Sequence, residues 1–118
     1  MINYSVAMRN SLLLRGVGAS PGVARGKVSL LKGGAEAIPD AEDCIVVARM
    51  PHFCALPLLL GARAVVTEYG GLTCHAAILA RELGIPCVVA ANGATRVLFE
   101  GQEDVVDGVT GEIWTGDD

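Results

Sequence analysis

The chain has 118 residues, with 9 Lys and Arg against 13 Asp and Glu and a formal net charge of −4. That length buries about two-thirds of the unfolded surface in one core and is too short for two ordinary domains. No basic cluster interleaved with aromatics is present, which excludes the electrostatic footprint of a nucleic-acid binder. Hydrophobic residues make up 52% but aromatics only 4%, the composition of a compact α/β protein with a Val, Leu, Ile and Ala core.

Met1 to Asn10 follows neither the helical nor the strand period and reads as a lead-in or linker, with an ordered domain expected over residues 11–116. Leu12 to Val17 predicts a strand and Ala19-Ser20-Pro21-Gly22 a turn, because Pro presets its φ and Gly accepts a positive one. Val23 to Leu31 predicts a half-buried second strand ending at Gly33-Gly34. Cys44-Ile45-Val46-Val47-Ala48 is a continuous β-branched run, as expected of a strand covered on both faces.

A short helix is expected between Cys54 and Leu60, starting near Leu56 because Pro57 suits only a first turn. Ala64 to Thr67 repeats the buried-strand pattern. Gly70-Gly71 breaks it ahead of a helix from about Cys74 to Leu83, for which Thr73 is the expected N-cap. Gly84 and Pro86 stop that helix, and Cys87 to Ala90 is a further buried strand, giving a βαβ unit over 64–90. Ala94 to Leu98 forms one helical turn. Asp104-Val105-Val106 and Glu112-Ile113-Trp114 then flank Asp107-Gly108 as a hairpin, and Asp117-Asp118 is expected to fray.

Phe53 to Gly61, the longest apolar stretch, is far below the roughly 20 residues of a membrane helix. Residues 1–15 lack the apolar region and cleavage site of a signal peptide. Cys44, Cys54, Cys74 and Cys87 show no tight pairing pattern, which suits reduced thiols. A cytoplasmic protein without a membrane partner is the expectation.

The chemistry concentrates at His75, one of two histidines. It stands where the Gly70-Gly71 turn becomes a helix, whose first N–H groups lack intrahelical acceptors and carry partial positive charge. Such an end holds phosphate, and a neutral imidazole offers a nucleophilic nitrogen beside it. His75 is therefore the candidate catalytic residue. Arg81 lies six residues on, beyond the first turn, and a surface ion pair is expected of it.

Residues 70–89, GGLTCHAAILARELGIPCVV, resemble the phosphohistidine signature of the PEP-utilising enzymes. The Thr-Cys-His form is closest to phosphoenolpyruvate synthases; pyruvate phosphate dikinase and enzyme I of the sugar phosphotransferase system resemble it with Ser before the His. Gly16 to Gly26 resembles the opening of the same mobile domain, and Asp107-Gly108 with Gly111-Glu112-Ile113 its close. The resemblance implies a swivelling β/β/α phosphohistidine domain of α/β class. It further implies that His75 relays phosphate between an ATP-grasp nucleotide site and a TIM-barrel pyruvate/phosphoenolpyruvate site, with Gly71, Thr73 and Cys74 as candidate contacts for the phosphoryl group, in ATP + pyruvate + water to AMP + phosphoenolpyruvate + phosphate chemistry.

A barrel of about 250 residues does not fit in this chain, so both partners are expected on other domains or subunits. Mg²⁺ and ATP are expected there, with no tightly bound cofactor and no metal site on the domain itself. One departure is Leu72, where relatives often carry Arg or Met. Three rivals remain: a Cys74 thiolate nucleophile, a zinc site from His52, Cys54, Cys74 and His75, and a non-catalytic binding or regulatory module that retains the swivelling fold.

Overall fold

The β-branched runs read as buried strands lie side by side at the centre of the fold. A computed structural model describes residues 11–31, 42–50 and 56–116. Strands β4 (Cys44–Ala48), β5 (Ala64–Thr67) and β6 (Cys87–Val89) pair in parallel, and β3 (Val23–Leu31) joins β4 in parallel. Their side chains alternate between two fully buried faces. Val46, Ala48, Val65, Cys87 and Val89 meet helices α1 (Leu56–Leu59) and α2 (His75–Leu83). Ile45, Val47, Ala64, Val66 and Val88 meet helix α3 (Ala94–Val97) together with β1 (Leu12–Arg15), β7 (Glu103–Asp107) and β8 (Glu112–Thr115). The two-sided burial explains why these strands read as unbroken apolar runs, and each fully buried Val or Ile contributes about 1.5–3 kcal/mol.

All eight strands belong to one mixed sheet in the order β1-β8-β7-β3-β4-β5-β6-β2, with β2 covering Val17–Ser20. Strand β1 pairs antiparallel with β8 at one end of this order, and β2 pairs antiparallel with β6 at the other. Gly16 alone separates β1 from β2, so the sheet has to fold over until its two ends meet. They meet at glycines: Gly16 N–H donates to the Gly111 carbonyl at 2.7 Å, and Gly108 N–H to that of Gly22 at 2.8 Å. The strands of the two chain ends, β1, β2, β7 and β8, and those of the 64–90 unit are thus parts of the same hydrogen-bonded sheet, folded into a β/β/α arrangement.

Two local expectations are corrected. The strand expected over Leu12 to Val17 breaks at Gly16, and Ala19 and Ser20, expected in a turn, belong to β2, where Ser20 pairs with Cys87. The cause is tertiary: β6 offers an open edge that residues 17–20 complete, leaving Pro21-Gly22 to turn. The strand expected to reach Ala90 ends at Val89, because Ala90 adopts φ 54°. The lead-in over 1–10, the Gly33-Gly34 strand end, Cys54 ahead of the short helix and the frayed 117–118 lie outside the described residues.

Apart from the start of α2, the remaining elements form as read. Strands β5 and β6 are parallel around α2, and β7 and β8 make the antiparallel hairpin. Helix α2 buries Ala76, Ala77 and Ala80, small side chains that let it lie close on the sheet. It ends at Gly84 with φ 72°; Gly84 N–H bonds to the Arg81 carbonyl and Ile85 N–H to that of Ala80, a Schellman end.

Candidate functional site

Strand β5 runs past its last ladder position before it turns. Glu68 N–H donates to the Ala48 carbonyl at 3.0 Å, and Tyr69 N–H to the Arg49 carbonyl at 3.1 Å. The Thr67 hydroxyl donates to the Tyr69 carbonyl at 2.6 Å. The buried Glu68 carboxylate accepts from Thr95 N–H at 2.7 Å and from the Thr95 hydroxyl, which latches this end of β5 to α3. Nothing in the local sequence pairs Glu68 with Thr95, 27 residues on. The Arg49 guanidinium lies 5.8 Å from the centre of the Tyr69 ring, so a cation stands beside the exit of β5.

Gly70, at φ 121°, turns the chain out of the sheet in a conformation that side chains resist. Cys74 N–H then bonds to the Gly71 carbonyl at 3.1 Å, and the Cys74 carbonyl accepts the first helical bond from Ile78 N–H at 3.0 Å. His75 is therefore the first residue of α2 and is exposed. The N–H groups of His75, Ala76 and Ala77 precede that first bond and have no acceptor within the helix. Their partial positive charge converges on the space at the helix end, with no acidic residue in the first turn to neutralise it.

Thr73 is not the N-cap that its position suggested. Cys74 takes that place with extended backbone, φ −70° and ψ 163°, and among the described residues no side chain caps the helix. The helix starts one residue later than the pattern indicated because the turn closes on Gly71, leaving Thr73 exposed within it. Cys74 is half-buried, packed against the core beside α2. The structure thus gathers Gly71, Thr73, Cys74 and His75 into one loop and helix start.

Gly71 has a different standing from Gly70. A Cβ added to it would meet nothing within 4 Å, and its φ lies outside the left-handed region. Neither local conformation nor packing demands glycine there. Gly71→Ala should therefore shift stability by no more than about 0.5 kcal/mol, a result read directly from urea melts of the two proteins.

Among the described residues Arg81 forms no surface ion pair of the kind expected. Its guanidinium donates to two backbone carbonyls, Ala19 at 2.7 Å and Leu72 at 2.6 Å. The partners come from β2 and from the loop before His75, and only the fold brings them together. Leu72 and Ile78 are both exposed near His75, Ile78 one helical turn on. Among the described residues no group of three or more His, Cys, Asp or Glu could hold a metal ion; His52 and Cys54 of the zinc alternative lie outside those residues. No helix among the described residues is long and apolar enough to cross a membrane.

Comparison with known proteins gives a consistent answer. The sequence profile described as "PEP-utilising enzyme, mobile domain" matches residues 40–111. The chain is 45% identical over 105 residues to a probable phosphoenolpyruvate synthase of Archaeoglobus fulgidus, covering 89% of this chain and 14% of that protein. It is 42% identical over 105 residues to the phosphoenolpyruvate synthase of Pyrococcus furiosus, covering 89% of this chain and 13% of that one. A solution NMR structure of enzyme I resembles it with a TM-score of 0.55 and 29% identity, over 68% of this chain and 33% of that one. This chain thus spans about one-seventh of the length of the curated relatives it matches. With a profile matched over more than half its residues and relatives above 40% identity across its fold, the chain belongs to the family of PEP-utilising enzyme mobile domains.

Proposed function

We propose that His75 is a phosphoryl carrier, and that the domain relays phosphate between an ATP-grasp nucleotide site and a TIM-barrel phosphoenolpyruvate/pyruvate site on other domains or subunits. The observation that carries this reading is the position of His75: exposed, first in α2, beside three helix-end N–H groups, with no acidic residue in the first turn. Those N–H groups are donors for phosphoryl oxygens, fixed before the group arrives. Gly71, Thr73 and Cys74 border the same space, Thr73 with a hydroxyl that no helix cap consumes. Gly71 leaves open the approach by which a partner's substrate comes up to the ring.

In transfer from phosphoenolpyruvate, the unprotonated ring nitrogen forms a P–N bond as the bond from phosphorus to the enol oxygen breaks. The departing enolate takes a proton on carbon to become pyruvate. Phosphoryl transfer depends on positioning and on charge stabilisation. The carrier supplies the nucleophile and backbone donors, while ATP and Mg²⁺ belong to the partner sites. The relatives named phosphoenolpyruvate synthase support that substrate class, and a cytoplasmic setting goes with it.

The test incubates the chain with radiolabelled phosphoenolpyruvate, Mg²⁺ and a phosphoenolpyruvate synthase whose own mobile-domain histidine has been changed to alanine. Acid-labile, base-stable label on this chain, placed at His75 by mass spectrometry, is the expected outcome. Label at Cys74 or Thr73 instead would overturn the assignment. In the same assay Gly71→Val should slow labelling by about tenfold or more by crowding the approach to the ring.

A further inference from the structure

We propose that Arg81 is a positioning residue for His75, an inference that rests on the carrier reading above. Its planar guanidinium donates from Nη1 to the Ala19 carbonyl at 2.7 Å and from Nη2 to the Leu72 carbonyl at 2.6 Å. Both are charge-assisted bonds at the short end of the range. Ala19 is 62 residues away in β2, and Leu72 sits three residues before His75. One side chain from the last turn of α2 therefore ties the loop that begins α2 to the strand that completes the sheet.

The loop has little else to hold it. Gly70 and Gly71 contribute no side-chain contacts, Leu72 and Thr73 are exposed, and among the described residues no side chain caps the helix. Its internal bond runs from Cys74 N–H to the Gly71 carbonyl. Among the described residues no other side chain hydrogen-bonds to residues 70–74. With the clamp in place, the backbone leading into His75 is fixed against the sheet, and the ring meets an incoming phosphorus from one direction. Without it the loop is free to shift, and a displacement of about 1 Å at a reacting atom costs on the order of 10²-fold in rate. Lysine is a poor substitute, because an ammonium is a point donor and does not match two carbonyls with a rigid fork.

The experiment compares the parent chain with Arg81→Met and Arg81→Lys, using the labelling assay at saturating partner together with amide hydrogen exchange over residues 71–77. For Arg81→Met the expected results are labelling about 10²-fold slower at saturation and loop amides exchanging at least about tenfold faster. Arg81→Lys should label about tenfold slower, and free guanidinium ion at low millimolar concentration should restore part of the rate to Arg81→Met alone. Guanidinium weakens folds in general, so rescue marks a role at this position beyond stability. Labelling within twofold of the parent in both variants, or unchanged loop exchange, overturns the proposal. Should Arg81→Met fail to fold, Arg81→Lys decides by the same two readouts. If the parent itself takes no label, the carrier reading falls, while the exchange measurement still decides whether the clamp orders the loop.

Discussion

His75→Ala should abolish incorporation of acid-labile phosphate while leaving the fold intact. The side chain is exposed, and none of the hydrogen bonds that shape the loop or cap the helix uses it. Alanine is the better helix former, so the change in unfolding free energy should stay within about 0.5 kcal/mol. Transfer, by contrast, loses its nucleophile altogether. Helix-end N–H groups still attract an anion but form no bond to phosphorus. The check pairs the labelling assay with a thermal melt of the same preparation: persistent label at parental level would sink the carrier assignment, and a collapsed melt would show that His75 holds structure.

The largest effect on stability should come from Gly108→Ala. A Cβ at this position would lie 1.8 Å from the Ser20 carbonyl oxygen, 3.0 Å from its carbon and 3.1 Å from Cys87 N. These atoms are the backbone of β2 and β6, and no side-chain rotation relieves the clash. The same seam admits no Cβ at Gly111, which would stand 2.2 Å from the Gly16 carbonyl oxygen, or at Gly18, 2.3 Å from that of Gly108. Alanine at 108 forces the turn between β7 and β8 away from β2 and β6 and opens the place where the sheet folds onto itself. A loss of about 3 kcal/mol or more is expected, a large part of the total stability of a domain this size, with the midpoint falling by about 10 °C or more. Gly71→Ala is the internal control, since its Cβ meets open space. Equal melts for the two variants would contradict the folded-over sheet.

The central βαβ unit was legible in the sequence because its signals are local. Val65-Val66 and Val88-Val89 are β-branched runs buried on both faces, Gly70 breaks the first, and Gly84 with Pro86 stops the helix between them. The helix begins one residue beyond the start its pattern marks. Thr73 is the better capping side chain, but the turn that closes on the Gly71 carbonyl makes Cys74 the cap. The role of Arg81 is hidden for a related reason: periodicity places it beyond the first turn, yet its length carries the guanidinium back to Leu72 and across to Ala19.

By itself the sequence determined the α/β class, the buried parallel strands and the placing of His75 where a glycine turn becomes a helix, since each depends on residues within a few positions of one another. Tertiary structure decided what joins distant segments. The split of residues 12–20 into strands at opposite ends of the sheet requires β8 and β6 as partners. The glycine seam requires backbones some 90 residues apart in sequence to touch, as Gly16 and Gly111 do. Likewise the Arg81 clamp and the Glu68–Thr95 latch exist only once β2, α2 and α3 have packed. Short strands and single polar side chains carry no local mark of their partners, because the free energy that selects them is gained only when the whole sheet folds over.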